Sequence, residues 1–232
     1  MIFTSAETVE LVMSKYSRDW RRKVRVLPHA FDSSLFSDVA VRRTEGIVVR
    51  YVGNFYGLRT PDPLITAIKT LIQQGGSVLD NVTFELIGAL DLPTTEVQQL
   101  WQLPERLVRL RVPVDYEESL ALMTESDGLL IIDAPSPFSV FLPSKLIDYI
   151  GAGRPIMGFT PPGAAARVIH QLGGWVAAPG DPASAAKTLK EFLDYVRQRK
   201  EDSGVWGNPR VRLLYEARGV AKAFDSIIRE VL

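Results

Sequence analysis

Short apolar runs and longer amphipathic segments alternate along most of this chain. The runs are rich in β-branched residues, whereas the segments between them repeat apolar residues every three to four positions. This alternation is typical of βαβ units that pack into a mostly parallel sheet. Six runs are predicted to be buried strands: Ile47–Val52, Val82–Ile87, Leu107–Val112, Leu129–Ile132, Pro155–Phe159 and Trp175–Ala178.

The amphipathic segments predict helices between and after these strands. Parallel strands need crossover connections, and such crossovers are right-handed. The order of elements therefore predicts an α/β fold with a Rossmann-like, doubly wound parallel sheet and helices on both faces. The predicted helices are Asp62–Gln73, Thr94–Trp101, Glu117–Glu125, Pro143–Gly151, Gly163–Leu172 and Pro182–Arg199.

The N-terminal segment, residues 1–32, falls outside this alternation. Its pattern predicts a short strand, Ile2–Thr4, followed by a helix. A capping box would open that helix, since Glu7 follows Thr4 by three residues. A second strand, Val24–Leu27, then leads into a linker.

The C-terminal segment, residues 204–232, is the second appendage. Gly204–Pro209 breaks the chain before an amphipathic helix that is predicted to run from about Arg210 to Leu232. The predicted organisation is therefore one α/β domain over residues 33–203 with an appendage at each end.

Composition and charge exclude several function classes. The chain has 232 residues, and its 27 Lys+Arg balance its 27 Asp+Glu. This balance argues against a partner such as nucleic acid, which needs a basic face. The absence of cysteine excludes disulfides, thiolate zinc sites, iron–sulfur ligation and a cysteine nucleophile.

Location is predicted from the same composition. A cysteine-free chain fits the reducing cytoplasm. No charge-free apolar run reaches the ~18–20 residues of a transmembrane helix, and Glu7 and Glu10 stand where a signal peptide would be apolar. We therefore expect a cytoplasmic protein with neither a transmembrane segment nor an export signal.

The loop after the first long strand is the first candidate binding site, since ligands of doubly wound sheets bind outside the carboxyl ends of the strands. Gly53 and Gly57 permit close backbone approach, and Arg59 could offer its planar guanidinium to a phosphate. A plain βα turn with an exposed arginine is the alternative reading.

The second candidate loop runs from Asp133 to Lys145 and leads into a helix. The N-terminus of that helix is a ready anion site, and Lys145 places a positive charge where the helix dipole disfavours one. This placement indicates an anionic partner. Asp148, one turn later, could accept hydrogen bonds from sugar hydroxyls. For either residue alone, an ordinary surface pair of Lys145 with Asp148 is the alternative.

Motifs of other enzyme classes are missing. There is no G-x-G-x-x-G after the first strand, no P-loop and no G-x-S-x-G elbow, which disfavours dinucleotide binding, P-loop chemistry and a hydrolase triad. No Asp-x-Asp pair is present to hold a divalent ion. The two histidines, His29 and His170, have no partner at metal-ligand spacing, so no metal site is predicted.

Six motifs follow one another along the chain: Tyr51–Arg59, Phe84–Gly88, Val114–Leu120, Ser126–Leu130, Leu142–Tyr149 and Gly153–Ile156. Together they resemble the C-terminal, nucleotide-sugar-binding domain of GT-B glycosyltransferases of family 4. The resemblance covers nearly the whole chain from about residue 22 onward, and the order and spacing of the motifs are more specific than any one of them.

The resemblance implies roles for individual residues. Gly53 would let the backbone approach the donor phosphates, and Arg59 would pair with the diphosphate. Gly88 and Val114 would line the nucleobase and ribose. The loop carrying Ser139, Phe141 and Leu142 would meet the distal phosphate and the sugar through its backbone amides. Asp148 matches the second acid of the family's paired-glutamate motif, which contacts the ribose.

Two positions depart from the family pattern. Val140 stands where the first glutamate of the pair is expected, and Asn54 stands where many members carry a basic residue. Arg59 and Lys145 would then carry more of the diphosphate charge.

The resemblance implies the donor-binding half of a retaining, metal-independent glycosyltransferase that uses a UDP- or GDP-sugar and no cofactor. An N-terminal acceptor-binding domain, in cis or as a separate subunit, would complete it and could attach it peripherally to a membrane. Residues 1–32 would be the end of that domain and a linker, and the last helix would pack back on it. This chain alone is expected to be inactive.

Three other readings are weighed against this one. A noncatalytic binding or scaffold module with a degenerate donor site is favoured by Val140 and Asn54. A GT-B sugar-nucleotide 2-epimerase shares the architecture, but its acid and base residues are not identifiable here. A flavodoxin-like receiver would need an aspartate cluster after the first strands, where Val52-Gly53-Asn54 stands instead.

Overall fold

The computed structural model describes residues 1–36, 45–92, 102–202 and 204–230. The strands are short at the N-terminus and longer in the centre. In chain order they are β1 (Ile2–Phe3), β2 (Arg25–Val26), β3 (Ile47–Val52), β4 (Phe55–Tyr56), β5 (Val82–Ile87), β6 (Leu90–Asp91), β7 (Val108–Arg111), β8 (Gly128–Ile132), β9 (Ile156–Phe159) and β10 (Trp175–Ala177).

Helices separate most of these strands, and two 3-10 turns lie at Ser33–Phe36 and Ser77–Leu79. In chain order the α-helices are α1 (Ala6–Met13), α2 (Arg18–Arg21), α3 (Asp62–Gln73), α4 (Tyr116–Thr124), α5 (Ser144–Ala152), α6 (Ala164–Leu172), α7 (Pro182–Gln198), α8 (Pro209–Leu213) and α9 (Ala217–Arg229).

The central sheet has six strands in the order β10-β9-β8-β3-β5-β7, and every pairing in it is parallel. The chain winds outward from β3 through β5 to β7, then returns to β8 and winds the other way. The strand order therefore reverses between β3 and β8. This topology confirms the predicted doubly wound α/β fold and places its ligand crevice at the carboxyl ends of these two strands.

Apolar clusters on both faces of the sheet explain why most residues of its strands are apolar. All six residues of β3 are buried, as expected for a parallel strand with helices on each side. One cluster packs α3 and α7 against the sheet, and the other packs α4, α5 and α6 against the opposite face. Within the described part of this region, the predicted strands and helices recur with ends that differ by at most one residue.

The predicted capping box at the first helix is wrong. The N-cap is Ser5, whose Oγ accepts the backbone N–H of Thr8 at 3.1 Å. A serine one residue later satisfies the same free N–H group. Glu7 does not cap the helix and instead forms an ion pair with Arg167. Arg167 Nε lies 2.6 Å from Glu7 Oε1.

The predicted C-terminal helix is interrupted. It divides into α8 and α9 because residues 215–217 pair with the backbone of Phe31 instead of continuing the helix. The Phe31 N–H donates to the Tyr215 carbonyl, and the Ala217 N–H donates to the Phe31 carbonyl, both at 2.9 Å. This pairing attaches the C-terminal segment to the N-terminal one. The predicted helix Thr94–Trp101 lies outside the described residues.

No helix within the described ranges has both the length and the apolar character that crossing a membrane requires.

The N-cap of the long helix α7 offers a simple check of the fold. Asp181 Oδ1 accepts the backbone N–H of Ser184 at 3.1 Å. We expect Asp181→Ala to lower the free energy of unfolding by about 1 kcal/mol, the usual value of a lost N-cap. Glu191→Ala, at an exposed position of the same helix, is the control and should change it far less in urea denaturation. Equal effects of the two substitutions would contradict the capping role.

Candidate functional site

Two loops meet where the strand order reverses. One follows β3 and carries Arg59, and the other follows β8 and begins with Asp133. Arg59 Nη2 lies 3.6 Å from Asp133 Oδ1. Because β3 and β8 are neighbours in the sheet, this ion pair spans the mouth of the crevice that the topology predicts.

Arg59 is held in place by aromatic contacts. Its Nη1 donates to the hydroxyl of Tyr56 at 2.9 Å, and the guanidinium lies 5.0 Å from the centre of that ring. The side chain is only 23% exposed, so the reading as an exposed arginine on a plain turn is wrong. Within the described part of the chain, its buried Nε has no hydrogen-bond partner, which leaves one N–H for another acceptor.

Lys145 lies beneath the same loops and points at Tyr51. Its Nζ donates to the Tyr51 hydroxyl at 2.8 Å and sits 4.1 Å from the centre of that ring. Burial lowers the pKa of Lys145 to about 7, with a further contribution from Arg59 and an opposing one from Asp133. A surface pair of Lys145 with Asp148 is therefore excluded, and an incoming anion would favour the protonated amine.

Gly53 makes room for Lys145. Its φ is 147°, and a β-carbon at this position would overlap Lys145 Nζ and lie 2.9 Å from its Cε. Only glycine combines this backbone conformation with so close an approach. The structure thus explains why residue 53 is glycine: a side chain would displace Lys145. The predicted contact of Gly53 with donor phosphates remains a prediction.

Asp133 is the acidic member of the cluster, and the sequence pointed to it only as the start of a loop. Burial raises its pKa, while the Thr160 hydroxyl, which donates to Oδ2 at 2.8 Å, and the charges of Arg59 and Lys145 lower it. Two cations and one carboxylate therefore share a poorly solvated site. The pKa values of Asp133 and Lys145 should therefore respond strongly to any negative charge that is added nearby.

The loop after β8, residues 133–143, is tied by its backbone to the start of α6. The N–H of Ser139 donates to the Pro162 carbonyl at 2.8 Å, and the N–H of Ala164 donates to the Ser139 carbonyl at 3.0 Å. Phe141 is 76% exposed, and Leu142 packs partly into the apolar cluster. The loop thus combines a fixed backbone with an exposed tip.

Gly88, Asn54 and Val114 lie on the β5 side of the site. Asn54 Oδ1 accepts the N–H of Ala89 at 2.9 Å, which ties the loops after β3 and β5 together. A β-carbon at Gly88, whose φ is 145°, would overlap the Gly53 carbonyl oxygen. Val114 packs partly into the apolar cluster under α4. The structure shows these residues in packing and loop contacts, and their roles toward a nucleobase and ribose stay predictions.

Asp148 has a partner on a different helix. The Tyr116 hydroxyl, at the start of α4, donates to Asp148 Oδ1 at 3.2 Å. Burial raises the pKa of Asp148, and this hydrogen bond opposes the rise. Tyr116 was not a predicted site residue, because nothing local in the sequence shows that α4 and α5 begin side by side.

The arrangement is suited to an anion. Arg59 and Lys145 supply positive charge, and α5 begins at Ser144 after Pro143 without a side-chain cap. The N–H of Leu146 donates to the Pro143 carbonyl at 3.0 Å, so the N–H groups of Ser144 and Lys145 are the ones that the helix start could offer to an anion. Within the described ranges there is no group of three or more histidine, aspartate or glutamate residues placed to hold a metal ion.

Comparison with known proteins shows which folds and sequences this chain is similar to. No protein-family model matches the chain. The D-inositol 3-phosphate glycosyltransferase of Salinispora arenicola is 27% identical over 179 residues, covering 73% of this chain and 39% of that protein. Sucrose-phosphate synthase from Thermosynechococcus elongatus has a TM-score of 0.68 at 19% identity, over 99% of this chain and 57% of its own.

A second solved structure, Anabaena HepE in complex with UDP-glucose, has a TM-score of 0.64 at 18% identity, over 99% of this chain and 62% of its own. The fold is that of a GT-B C-terminal domain. The predicted resemblance to the C-terminal domain of family 4 glycosyltransferases is thereby confirmed. The GT-B domain described here spans 39% of the curated relative and 57–62% of these two structures.

Proposed function

We propose that this GT-B domain is the donor-binding half of a retaining, metal-independent glycosyltransferase. It would bind a UDP- or GDP-sugar and, once completed by an acceptor-binding domain, transfer the sugar. The observation that carries the proposal is the convergence of Arg59, Lys145 and the start of α5 at the reversal of strand order. Similarity to a glycosyltransferase supports the same class of reaction.

The electrostatics of the cluster favour a diphosphate over a neutral ligand. Lys145 is buried and loses part of its charge near pH 7, and Asp133 already offsets Arg59 at 3.6 Å. A diphosphate brings enough negative charge to satisfy both cations and the helix terminus. It would replace Asp133 as the partner of Arg59 and use the Arg59 Nε that lacks one.

The chemical role of this half would be to stabilise the leaving group. As the bond between sugar and diphosphate breaks, negative charge accumulates on the diphosphate. Arg59, Lys145 and the N–H groups of α5 are fixed in advance where that charge develops. Asp148 would accept hydrogen bonds from ribose hydroxyls, and no nucleophile from this half is needed.

The end segments fit an interdomain role. Residues 1–32 and α9 would face an acceptor-binding domain, joined in cis or as a separate subunit. Apolar side chains exposed on residues 1–32, at the end of α8 and on α9 support this: Ile2, Val26, Leu213, Leu214, Phe224 and Ile228. A cytoplasmic location, with peripheral membrane attachment through that other half, belongs to the same proposal.

The contribution of Arg59 can be measured by calorimetric titration with UDP and GDP. We expect one of them to bind the full chain, and Arg59→Ala to weaken that binding about tenfold or more, since a charge-assisted hydrogen bond to phosphate is lost. Arg109→Ala, at an exposed position on β7, is the matched control and should leave the affinity unchanged. Binding of neither nucleotide to the unaltered chain would refute the proposal.

A noncatalytic module is the second candidate, and one contact favours it. Asn54, at a position where a basic residue is expected, uses its side chain to bind the Ala89 N–H, and Val140 has no carboxylate to offer. Transfer or hydrolysis of a labelled UDP- or GDP-sugar, measured with an added acceptor domain, separates the two functions. Nucleotide binding without turnover would favour the module.

A further inference from the structure

The N-terminal segment contacts the loop after β8 through two hydroxyl groups. Ser5 Oγ lies 3.1 Å and Thr8 Oγ1 lies 3.3 Å from the carbonyl oxygen of Val140. Either both hydroxyls donate to this oxygen, or one hydroxyl donates to the other across 2.8 Å and the second donates to Val140. In every arrangement the Val140 carbonyl points at the start of α1.

An ion pair fixes α1 to α6 beside this contact. Arg167 Nε lies 2.6 Å from Glu7 Oε1, and Arg167 Nη2 lies 3.1 Å from Glu7 Oε2. This two-point geometry restrains both side chains. The start of α6 also pairs with the backbone of Ser139 in the loop after β8. Each of the three elements, the loop, α1 and α6, therefore contacts the other two.

These contacts set the direction of one peptide group. A trans peptide is planar, and its C=O and N–H point to opposite sides. With the Val140 carbonyl directed at α1, the N–H of Phe141 points away from α1. Among the residues that the structure describes, that N–H makes only a contact of 3.4 Å with Ser139 Oγ, which is longer than an ordinary N–H···O bond. A rotated peptide would present a carbonyl oxygen in its place.

We propose that Ser5 and Thr8 are positioning residues for the donor, holding the Val140–Phe141 peptide so that the Phe141 N–H meets the distal phosphate of a nucleoside diphosphate. This inference rests on the proposed donor site. A backbone N–H matters here because Val140 offers no polar side chain to a ligand. A carbonyl turned toward the phosphate would repel it.

The test compares nucleotides with one and two phosphates. The full chain and its Thr8→Val and Ser5→Ala/Thr8→Val variants are titrated calorimetrically with UDP and UMP, and with GDP and GMP. We expect the double variant to bind the diphosphate about tenfold more weakly, as for a lost charge-assisted hydrogen bond. Affinity for the monophosphate should stay unchanged, because the peptide acts on the distal phosphate alone.

Controls separate this effect from loss of structure. Ser14→Ala removes an exposed hydroxyl from the end of the same helix, where it binds the Leu11 carbonyl, and should bind both nucleotides normally. Thr8→Val keeps the Ser5 cap and remains informative if the double variant does not fold. Thr8→Ser keeps a hydroxyl and should retain diphosphate affinity.

The outcomes distinguish the two proposals. If the unaltered chain binds neither UDP nor GDP, the donor site is wrong, and the positioning role is rejected with it. If the chain binds the diphosphate and the variants bind it equally well, only the positioning role is rejected. An equal loss for monophosphate and diphosphate also rejects it, because that pattern indicates general damage to the site.

Discussion

Replacing Lys145 with methionine is expected to weaken UDP or GDP binding about 100-fold at pH 7. The Lys145 ammonium group is buried beside Tyr51 and close to Arg59 and Asp133, so few water molecules screen its attraction to a phosphate. Methionine keeps the length and volume of the side chain and removes only the charge and its hydrogen bonds. Calorimetric titration at constant ionic strength measures the change.

The same substitution is expected to stabilise the fold at neutral pH. The pKa of Lys145 is about 7 in the folded protein, against 10.5 ordinarily. Between these two values the unfolded chain binds more protons than the folded one, so this residue makes stability rise with pH from about 7 to 10.5. The unaltered chain should therefore gain more stability on going from pH 7 to pH 9.5 than Lys145→Met does.

Nucleotide affinity should follow the opposite trend. As pH rises above 7, an unliganded Lys145 loses its proton, and binding must restore it, so affinity falls by up to about tenfold per pH unit. Lys187→Met, at an exposed position on α7, is the control for both measurements. If Lys145→Met keeps both the affinity and its pH dependence, Lys145 does not bind the phosphates.

Gly163→Ala is expected to destabilise the fold by about 3 kcal/mol, the upper end of the cost of a strained backbone residue. Gly163 has φ 140° and ψ −151°, a region open essentially only to glycine. A β-carbon there would also overlap the carbonyl oxygen of Ser139. The alanine must therefore break the pairing that fixes the loop after β8, and nucleotide affinity should fall as well.

Gly180→Ala provides the control for this substitution. A β-carbon at Gly180 would meet no atom within 4 Å, and its φ is not in the region that side chains avoid. Urea denaturation and UDP titration of both variants give stability and affinity together. A Gly163→Ala variant with unchanged stability would show that the pairing of Ser139 with α6 contributes little.

The fold was predictable because local patterns dictate it. The run at β8 is apolar throughout, and the run at β3 is apolar except for Arg50, whose Nε lies 2.7 Å from Glu85 Oε2. Such runs are expected of parallel strands with two covered faces, and α3 occupies the predicted residues 62–73. The interruption between α8 and α9 was not predictable. It depends on backbone pairing with Phe31, which lies nearly 200 residues earlier in the chain. The sequence around residues 215–217 contains no pattern that indicates this pairing.

The candidate site was predictable only in part. Arg59 and Lys145 stand out because a cation beside a glycine-rich turn or against a helix dipole is unusual. The sequence did not identify Asp133, Tyr51 and Tyr116 as site residues. Each belongs to the site through a contact with a residue on another element: Arg59, Lys145 and Asp148, respectively. The fit of Gly53 against Lys145 is likewise a property of the folded chain, and no spacing in the sequence encodes it.

The most direct measurement is an amide chemical-shift titration of the isotope-labelled chain with UDP and GDP. If the donor diphosphate binds where the strand order reverses, the largest changes should fall in residues 53–59 and 139–145, and Arg59→Ala should reduce them. No change with either nucleotide, or changes centred on the groove between α1 and Phe138, would contradict a donor site at this crevice.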